Sequence, residues 1–291
     1  MSLSQTARRI SLPALLAATL AAPLLAIGPG GATPARASTS VTSASAGHPA
    51  RPVIVLEHGA WADASSWDNV ISRLQRSGFT VYAPPNPLRG LPQDSAYLHQ
   101  FLTQNAALQG KPIVLVGHSY GGAVITNAAV GVPAVRALVY VDAFIPGQGD
   151  TIGHLAAAQP GSCLGDPARD FNPVPYPGAP SGDVDLYIKP GLVPGCFATG
   201  LPASAAAVIA ATQRPLTASA FAEPSGPPAW KTIPSWAVIG TGDRVIPPAE
   251  LTIMARHAGA RITDVRAGHL SLITEPSVVT RVILQAVQAT G

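Results

Sequence analysis

The sequence predicts an α/β fold, in which a mostly parallel sheet is covered by helices on both faces and carries an inserted cap. Two observations predict it. Short apolar runs rich in β-branched residues alternate along the chain with segments of helical periodicity, which is typical of strands joined by crossover helices. A long stretch dense in Pro and Gly, about residues 143–232, then interrupts the alternation. Because it is too long to be a simple connector, it predicts a cap over one end of the sheet.

Six strand-like runs define the predicted sheet, and they lie at residues 52–57, 79–83, 112–116, 136–141, 235–240 and 261–266. The first helix is predicted to begin at Ser65, with Asp68 as a capping-box acid, and to end at Gly78. A second helix is predicted to begin at Asp94, and two more occupy 123–130 and 203–212. Another is predicted to run from Pro247 or Pro248 to about Gly259, and the last from Pro276 to the C-terminus.

The first 37 residues have the layout of a secretory signal peptide. Paired arginines precede an apolar run at 11–27, and the small residues Ala35 and Ala37, two positions apart, provide a cleavage site after Ala37. The apolar run is short for a membrane span and contains two prolines, which argues against an anchor. We therefore expect a secreted or periplasmic protein without stable membrane insertion, with a flexible tail at 38–50 and one domain at 51–291.

The charge balance argues against a nucleic-acid partner. The chain has 18 Lys and Arg residues against 15 Asp and Glu residues, but three of the arginines lie in the leader, which contains no acid. The mature chain would therefore carry equal numbers of basic and acidic residues. Such a balance predicts no basic face for nucleic acid or anionic lipid. The oligomeric state is not encoded in any recognisable pattern.

The two cysteines, Cys163 and Cys196, both lie in the predicted cap. In an exported protein, two cysteines favour a disulfide between them, and two buried free thiols are the alternative. Neither cysteine has the His or Cys neighbours that a metal site needs, so we expect no metal.

The stretch 117-GHSYG-121 fits the G-x-S-x-G pattern of a nucleophile elbow. It follows a strand-like run directly and precedes the helix-like segment 123–130. The sharp turn forces the serine into a strained backbone conformation, so the residues two positions away must be small. The following helix would aim its N–H groups at the serine. Ser119 is therefore the predicted nucleophile, and a phosphate-binding loop is excluded because no Lys follows at the required place.

A serine hydroxyl needs a base, and His269 is the histidine best placed to serve. It lies just after the last strand-like run, and the base comes last in the chain order Ser, Asp, His. Asp243, after the run 235–240, is the predicted acid that orients the imidazole. Asp142 ends the run 136–141 at the same sheet edge and is the alternative acid.

Acyl transfer also needs donors for the developing oxyanion. One predicted donor is the backbone N–H of Tyr120, the residue after the nucleophile. The other should come from the loop after the first strand, 58–67, where Ala60 is the first choice and Trp61 the alternative.

Together, 57-EHGAW-61, Trp67, 117-GHSYGG-122, 241-TGD-243 and 268-GH-269 resemble the α/β-hydrolase superfamily. Within it, the chain is similar to the small serine esterases related to plant methylesterases and hydroxynitrile lyases. The likeness covers about residues 52–290 and is weak across the cap. It implies an eight-stranded sheet, a triad of Ser119, Asp243 and His269, and no cofactor.

Two departures narrow the chemistry that the resemblance implies. Dehalogenases and epoxide hydrolases of this fold have Asp at the elbow, where this chain has Ser119. Hydroxynitrile lyases have Lys directly after the catalytic His, where this chain has Leu270. We therefore expect an exported serine hydrolase that cleaves carboxylic esters or lactones through an acyl-enzyme. Because the cap has few charges and no arginine cluster, its small-molecule substrate should be neutral and partly apolar.

Two other functions remain compatible with the same residues. The triad could support cofactor-free perhydrolysis or C–C hydrolysis. A non-catalytic protein could also keep the hydrolase shell as a ligand pocket.

Overall fold

The computed structural model describes residues 51–180 and 182–290, so the predicted leader and tail lie outside the described residues. Its strands are β1 (Val53–Glu57), β2 (Val81–Tyr82), β3 (Ile113–His118), β4 (Val135–Val141), β5 (Phe171–Val174), β6 (Asp185–Ile188), β7 (Leu216–Thr217), β8 (Ser235–Gly240) and β9 (Arg261–Val265). Its α-helices are α1 (Asp68–Arg76), α2 (Leu91–Gln104), α3 (Tyr120–Ala128), α4 (Ile152–Ala157), α5 (Pro167–Asp170), α6 (Ala203–Thr212), α7 (Pro248–His257), α8 (Ser271–Thr274) and α9 (Pro276–Thr290).

The main sheet has six strands in the order β2-β1-β3-β4-β8-β9, and every neighbouring pair is parallel. These are the six strands predicted from the sequence, and the α/β fold class is confirmed. The resemblance implied eight strands in this sheet, whereas the sheet has six in the described part of the chain. The three remaining strands there, β5, β6 and β7, form a separate antiparallel sheet because they belong to the inserted segment.

The central strands β1 and β3 are buried along their whole length because helices cover both faces of the sheet. Every residue of β1 and β3 is buried. Their β-branched side chains suit a pleated surface, and the absence of polar alternation distinguishes them from strands with one wet face. The parallel arrangement brings the carboxyl ends of these strands to a single edge.

The start of the first helix differs from the prediction. The Asp63 carboxylate accepts a hydrogen bond from the Ser65 N–H at 2.8 Å, and a 3₁₀ turn over Ala64–Trp67 leads into α1. The Ser65 hydroxyl donates to the same carboxylate at 2.6 Å. The predicted Ser65–Asp68 capping box is therefore wrong, because Asp63 is the residue whose side chain caps the turn.

The second helix begins at Leu91, three residues before the predicted start at Asp94. Pro92 is suited to the first helical turn. The Asp94 carboxylate accepts hydrogen bonds from the Arg89 and Gly90 N–H groups at 2.9 and 3.3 Å. Asp94 therefore fastens the loop before the helix from a position inside its first turn.

The segment between β4 and β8 contains α4, α5, α6 and the small antiparallel sheet. Of these elements, only α6 was predicted, because the strands are short and interrupted by turns. A disulfide joins Cys163 to Cys196, with 5.9 Å between their Cα atoms and a sequence separation of 33. Closing a loop of this size stabilises the fold by about 3–4 kcal/mol on the chain-entropy model.

Over residues 51–180 and 182–290, no helix combines the length and the apolar character that crossing a bilayer would require.

Gly122 lies where α3 packs closely on the loop after β4. A Cβ there would lie 2.7 Å from the Ala143 Cβ and even closer to the Phe144 carbonyl oxygen. Although Ala is the better helix former, we expect Gly122→Ala to lower the free energy of unfolding by about 1–3 kcal/mol because of this overlap. Urea denaturation monitored by circular dichroism measures the change.

Gly191→Ala is the matched control, since a Cβ at position 191 meets nothing within 4 Å. Its effect should stay within about 0.5 kcal/mol. Equal effects of the two substitutions would contradict the close approach of α3 to this loop.

Candidate active site

The candidate residues gather where the parallel strands end. Ser119 follows β3, Asp142 follows β4, Asp243 follows β8 and His269 follows β9. Ligand and catalytic groups of open α/β sheets collect at this carboxyl edge. The structure brings the predicted nucleophile, base and first-choice acid into direct contact and sets Asp142 slightly apart.

The turn at Ser119 has the strained geometry that an elbow requires. Its φ of 52° and ψ of −124° lie in a region that non-glycine residues rarely adopt. A Cβ at Gly117 would lie 2.6 Å from the Gly121 carbonyl oxygen, and a Cβ at Gly121 would lie 2.6 Å from the Glu57 carbonyl oxygen. The two glycines are therefore needed because the turn presses its own backbone together and against β1.

Ser119, His269 and Asp243 form a continuous chain of hydrogen bonds. The Ser119 hydroxyl donates to His269 Nε2 at 2.8 Å, and His269 Nδ1–H donates to Asp243 Oδ2 at 2.7 Å. All three residues are buried. This arrangement requires the Nδ1–H tautomer, which leaves Nε2 free to receive the serine proton.

The second oxygen of the Asp243 carboxylate is held by the backbone. Oδ1 accepts hydrogen bonds from the Val245 and Ile246 N–H groups at 2.8 and 3.1 Å. One carboxylate oxygen therefore fixes the loop after β8 while the other orients the imidazole.

The alternative acid, Asp142, bonds to the backbone of the loops around His269. Its carboxylate accepts from the Gly240 N–H at 2.7 Å and from the Ser271 N–H at 3.1 Å. Burial, followed by the nearby Asp243 charge, raises the pKa of Asp142 to about 7. Through these two hydrogen bonds, Asp142 links the loop that carries Asp243 to the loop that carries His269. Asp142 therefore supports the backbone of the site and does not contact the imidazole through a hydrogen bond.

The environment of His269 has two opposing effects on its pKa. Burial lowers the pKa of the imidazole, whereas the charge and hydrogen bond of Asp243 raise it, and the net shift is upward from 6.5. The neighbouring His118 is also buried, and desolvation lowers its pKa well below 6.5. His118 Nε2–H donates to the His269 carbonyl oxygen at 2.9 Å, so a neutral His118 supports the backbone of the base.

The two candidates for the second oxyanion donor have different backbone contacts. The Trp61 N–H donates to the Arg214 carbonyl oxygen at 2.8 Å, so this N–H already has a hydrogen-bond partner. Ala60, Trp61 and Tyr120 all line, together with Ser119, a cavity of about 30 Å³, so the occupied Trp61 N–H is what separates the two candidates. Tyr120 opens α3, where the first N–H groups have no partner within the helix. These contacts favour Ala60 over Trp61 as the partner of Tyr120.

Asp94 anchors Tyr120, the residue after Ser119, a contact that the sequence did not reveal. The Tyr120 hydroxyl donates to Asp94 Oδ2 at 2.7 Å. Burial raises the pKa of this carboxyl to about 6. A polar residue in the first turn of a helix has many ordinary roles, so nothing in the local pattern pointed to this contact.

The small cavity beside Ser119 lies next to a larger apolar chamber. That outer chamber has a volume of about 270 Å³, and Ala156, Leu164 and Phe221 line both cavities. A larger groove of about 580 Å³ lies between α1 and α9 and touches none of the candidate residues. Of these three spaces, the small cavity is the one lined by Ser119, and the apolar chamber shares part of its lining.

Aromatic residues surround the base from the inserted segment and the loop after β1. The Phe197 ring lies 5.5 Å from the His269 ring and 6.0 Å from the Trp61 ring, measured between centroids. The Trp61 indole N–H donates to the Leu186 carbonyl oxygen at 2.7 Å. The described residues contain no group of three His, Cys, Asp or Glu side chains that could hold a metal ion.

A sequence model of the alpha/beta hydrolase family matches residues 53–282. This chain belongs to the α/β-hydrolase family.

Among its relatives in that family is a carbendazim hydrolyzing esterase from Nocardioides sp. (strain SG-4G), which is 34% identical over 109 residues. That match covers 34% of this chain and 44% of the enzyme, less than half of its length.

Solved structures of other α/β-hydrolases extend the likeness over most of the chain. An extracellular α/β-hydrolase from a Paenibacillus species is 22% identical with a TM-score of 0.62, over 81% of this chain and 98% of that one. Polyneuridine aldehyde esterase is 17% identical with a TM-score of 0.67, over 81% of this chain and 98% of that one. At these identities the two structures show a shared fold.

Of the three buried histidines near the sheet edge, His269 should titrate in a higher pH range than the other two. We expect His269 to protonate above pH 6.5, His58 at about pH 4 and His118 well below pH 6.5. Burial lowers the latter two, and only His269 has a carboxylate partner that outweighs it. ¹⁵N NMR titration of labelled histidines measures the three values.

Asp243→Asn should bring the pKa of His269 below 6.5, since only the effect of burial and the smaller effect of Asp142 would remain. Asp142→Asn is the matched control and should lower it less. The assignment of Asp243 as the partner would be wrong if the two variants were equivalent.

Proposed function

We propose that this protein is an exported serine hydrolase that cleaves neutral, partly apolar carboxylic esters, including lactones, through an acyl-enzyme. The observation that carries the proposal is the buried chain of hydrogen bonds from Ser119 through His269 to Asp243. It lies at the strained turn of an α/β-hydrolase, and a partial relative is named as an esterase.

In the first half of the reaction, the Ser119 hydroxyl attacks the ester carbonyl and His269 Nε2 takes its proton. Asp243 stabilises the resulting imidazolium. The carbonyl oxygen becomes an oxyanion that accepts hydrogen bonds from the Tyr120 and Ala60 N–H groups. The intermediate then expels the alcohol, which receives the proton from His269, and an acyl-enzyme remains.

In the second half, water attacks the acyl carbon while His269 takes a proton from it. Collapse of the second tetrahedral intermediate returns that proton to Ser119 and releases the carboxylic acid. His269 must be neutral at the start of each half. Because the pKa of His269 is raised above 6.5, activity should fall as the pH decreases through that raised value.

The lining of the two adjacent cavities supports an apolar substrate group. The outer chamber is bounded mostly by aliphatic and aromatic side chains, among them Leu164, Phe171, Leu186 and Phe221. The space next to Ser119 has room for one or two waters at most, so a larger group must extend past Leu164 and Phe221. Such a lining favours a neutral substrate over one with a free carboxylate.

Export is supported by three independent features. The first 37 residues have the layout of a signal peptide. A disulfide joins the two cysteines, which is typical of oxidising compartments. A structural neighbour is an extracellular α/β-hydrolase.

Substitutions of the proposed triad test the mechanism on short p-nitrophenyl esters. We expect Ser119→Ala to abolish turnover, and Asp243→Asn to lower kcat by about 10⁴ because the wrong histidine tautomer is then favoured. Asp142→Asn is the matched control and should retain far more activity, since Asp142 bonds to backbone N–H groups. Greater loss in the Asp142 variant would overturn the acid assignment.

A fluorophosphonate probe distinguishes an esterase from a ligand-binding protein on the same shell. We expect covalent labelling of Ser119 in the folded protein and none in Ser119→Ala. Absence of labelling in the folded wild type would favour the binding function.

The acyl-length preference should change when Leu164, which lines both cavities, is shortened. We expect Leu164→Ala to raise kcat/KM for long-chain or bulky esters relative to acetate by about tenfold, since one or two buried methylenes correspond to about 1–2 kcal/mol. Leu192→Ala is the control, because Leu192 is half-buried and lines neither cavity. An unchanged profile in Leu164→Ala would place the substrate elsewhere.

A further inference from the structure

The Cys163–Cys196 disulfide joins two short segments of the chain that each touch the proposed catalytic residues or the loops that carry them. The first segment, Ser162–Leu164, lies against the loop that carries the acid. The second, Cys196–Thr199, lies against the base. The bond connects them directly, although 33 residues separate the cysteines in sequence.

The first segment holds the acid loop by two hydrogen bonds. The Cys163 N–H donates to the Arg244 carbonyl oxygen at 2.8 Å, and the Ser162 hydroxyl donates to the Val245 carbonyl oxygen at 2.8 Å. The Val245 N–H in turn donates to the Asp243 carboxylate at 2.8 Å. A displacement of this segment would therefore be transmitted to the acid through one residue.

A third contact ties the same loop to the other side of the disulfide. The Arg244 guanidinium donates to the Gly195 carbonyl oxygen at 2.6 Å, one residue before Cys196. The loop that carries Asp243 is therefore hydrogen-bonded to the chain next to Cys163 and to the chain next to Cys196, which the disulfide joins.

The second segment covers the base. Phe197 is buried, and its ring lies 5.5 Å from the His269 ring. A Cβ at Gly268 would overlap the Thr199 hydroxyl and lie 3.1 Å from the Thr199 carbonyl oxygen, so the backbone before His269 packs tightly under this segment. Movement of the segment would therefore free the imidazole to rotate.

We infer that the Cys163–Cys196 disulfide positions Asp243 and His269 relative to each other, so that its reduction lowers turnover in a protein that stays folded. This inference rests on the proposed function. The cysteines touch no reacting atom in this arrangement and act as positioning residues through the two segments. The inference differs from a purely stabilising role, which would change resistance to denaturation and leave the catalytic geometry as it is.

Reduction by a dithiol makes the test direct, because the chain has two cysteines in all and both are in this bond. Dithiothreitol supplies two electrons and two protons to the disulfide, which yields two cysteine thiols and one cyclic disulfide of the reagent. No other protein thiol or disulfide exists to respond. The double variant Cys163→Ser/Cys196→Ser, which cannot be reduced, is the matched control.

We expect reduction to lower kcat on a p-nitrophenyl ester by about ten- to a hundredfold, because misplacement of reacting groups by about 1 Å costs that much. The double variant should show the lower kcat from the start and should not respond to dithiothreitol. Circular dichroism should show both forms folded at the assay temperature. An unchanged kcat after reduction, or a rise in KM alone, would overturn the inference.

A second readout does not depend on activity. The proton between His269 Nδ1 and Asp243 should give a far-downfield NMR resonance in the oxidised protein, since that bond is buried and charge-assisted on protonation. We expect the resonance to broaden or disappear on reduction, and its persistence unchanged would contradict the inference. If the oxidised wild type shows the resonance but hydrolyses no ester, the proposed function fails while this inference is still decided by the resonance.

Variants that keep the disulfide provide a test even if the reduced forms unfold. Ser162→Ala and Arg244→Ala remove the contacts between the linked segments and the acid loop, and together they should lower kcat and weaken the downfield resonance. Arg256→Ala is the control, as Arg256 is an exposed residue in the last turn of α7. Full activity in the double substitution would show that these contacts do not position the acid.

Discussion

The hydrogen bond between His269 and Asp243 is the interaction on which the candidate site depends. Burial by itself would lower the pKa of His269, as it does for His118 nearby. The carboxylate reverses that effect and fixes the tautomer that leaves Nε2 facing the serine. Most of the other contacts at this edge of the sheet support one of the two partners.

The supports of the two partners are different in kind. Asp243 is held by the backbone of its own loop, through the Val245 and Ile246 N–H groups. His269 is held by its neighbours, because His118 binds its carbonyl oxygen and Asp142 binds the N–H of Ser271 two residues later. Two buried polar side chains therefore hold the backbone on either side of the His269 ring.

The inserted segment contributes to the site in two ways. It lines the apolar cavities with residues such as Leu164 and Phe221, and it covers the base with Phe197. Leu164 and Phe197 each directly follow a cysteine of the disulfide. The segment therefore combines the substrate pocket with part of the mechanical support for the proposed triad.

Some strands and helix ends could be predicted from the sequence, and others could not. The four inner strands β1, β3, β4 and β8 were predictable because each is a short, mostly apolar run, and burial on both faces favours that pattern. The β5–β7 sheet was missed because its strands are only two to four residues long. The start of α1 was misplaced because Ser65 and Asp63 are both plausible caps, and only the fold selects one.

The sequence by itself determined the fold class and the four polar residues at the carboxyl edge, because an elbow motif and parallel strands have strict local requirements. It could not separate Asp243 from Asp142 except by chain order, since both follow strands of the same sheet. The tertiary structure decided which carboxylate touches the imidazole, which backbone N–H is engaged elsewhere, and how the cap meets His269. These are distances between residues far apart in the chain, and no local pattern encodes them.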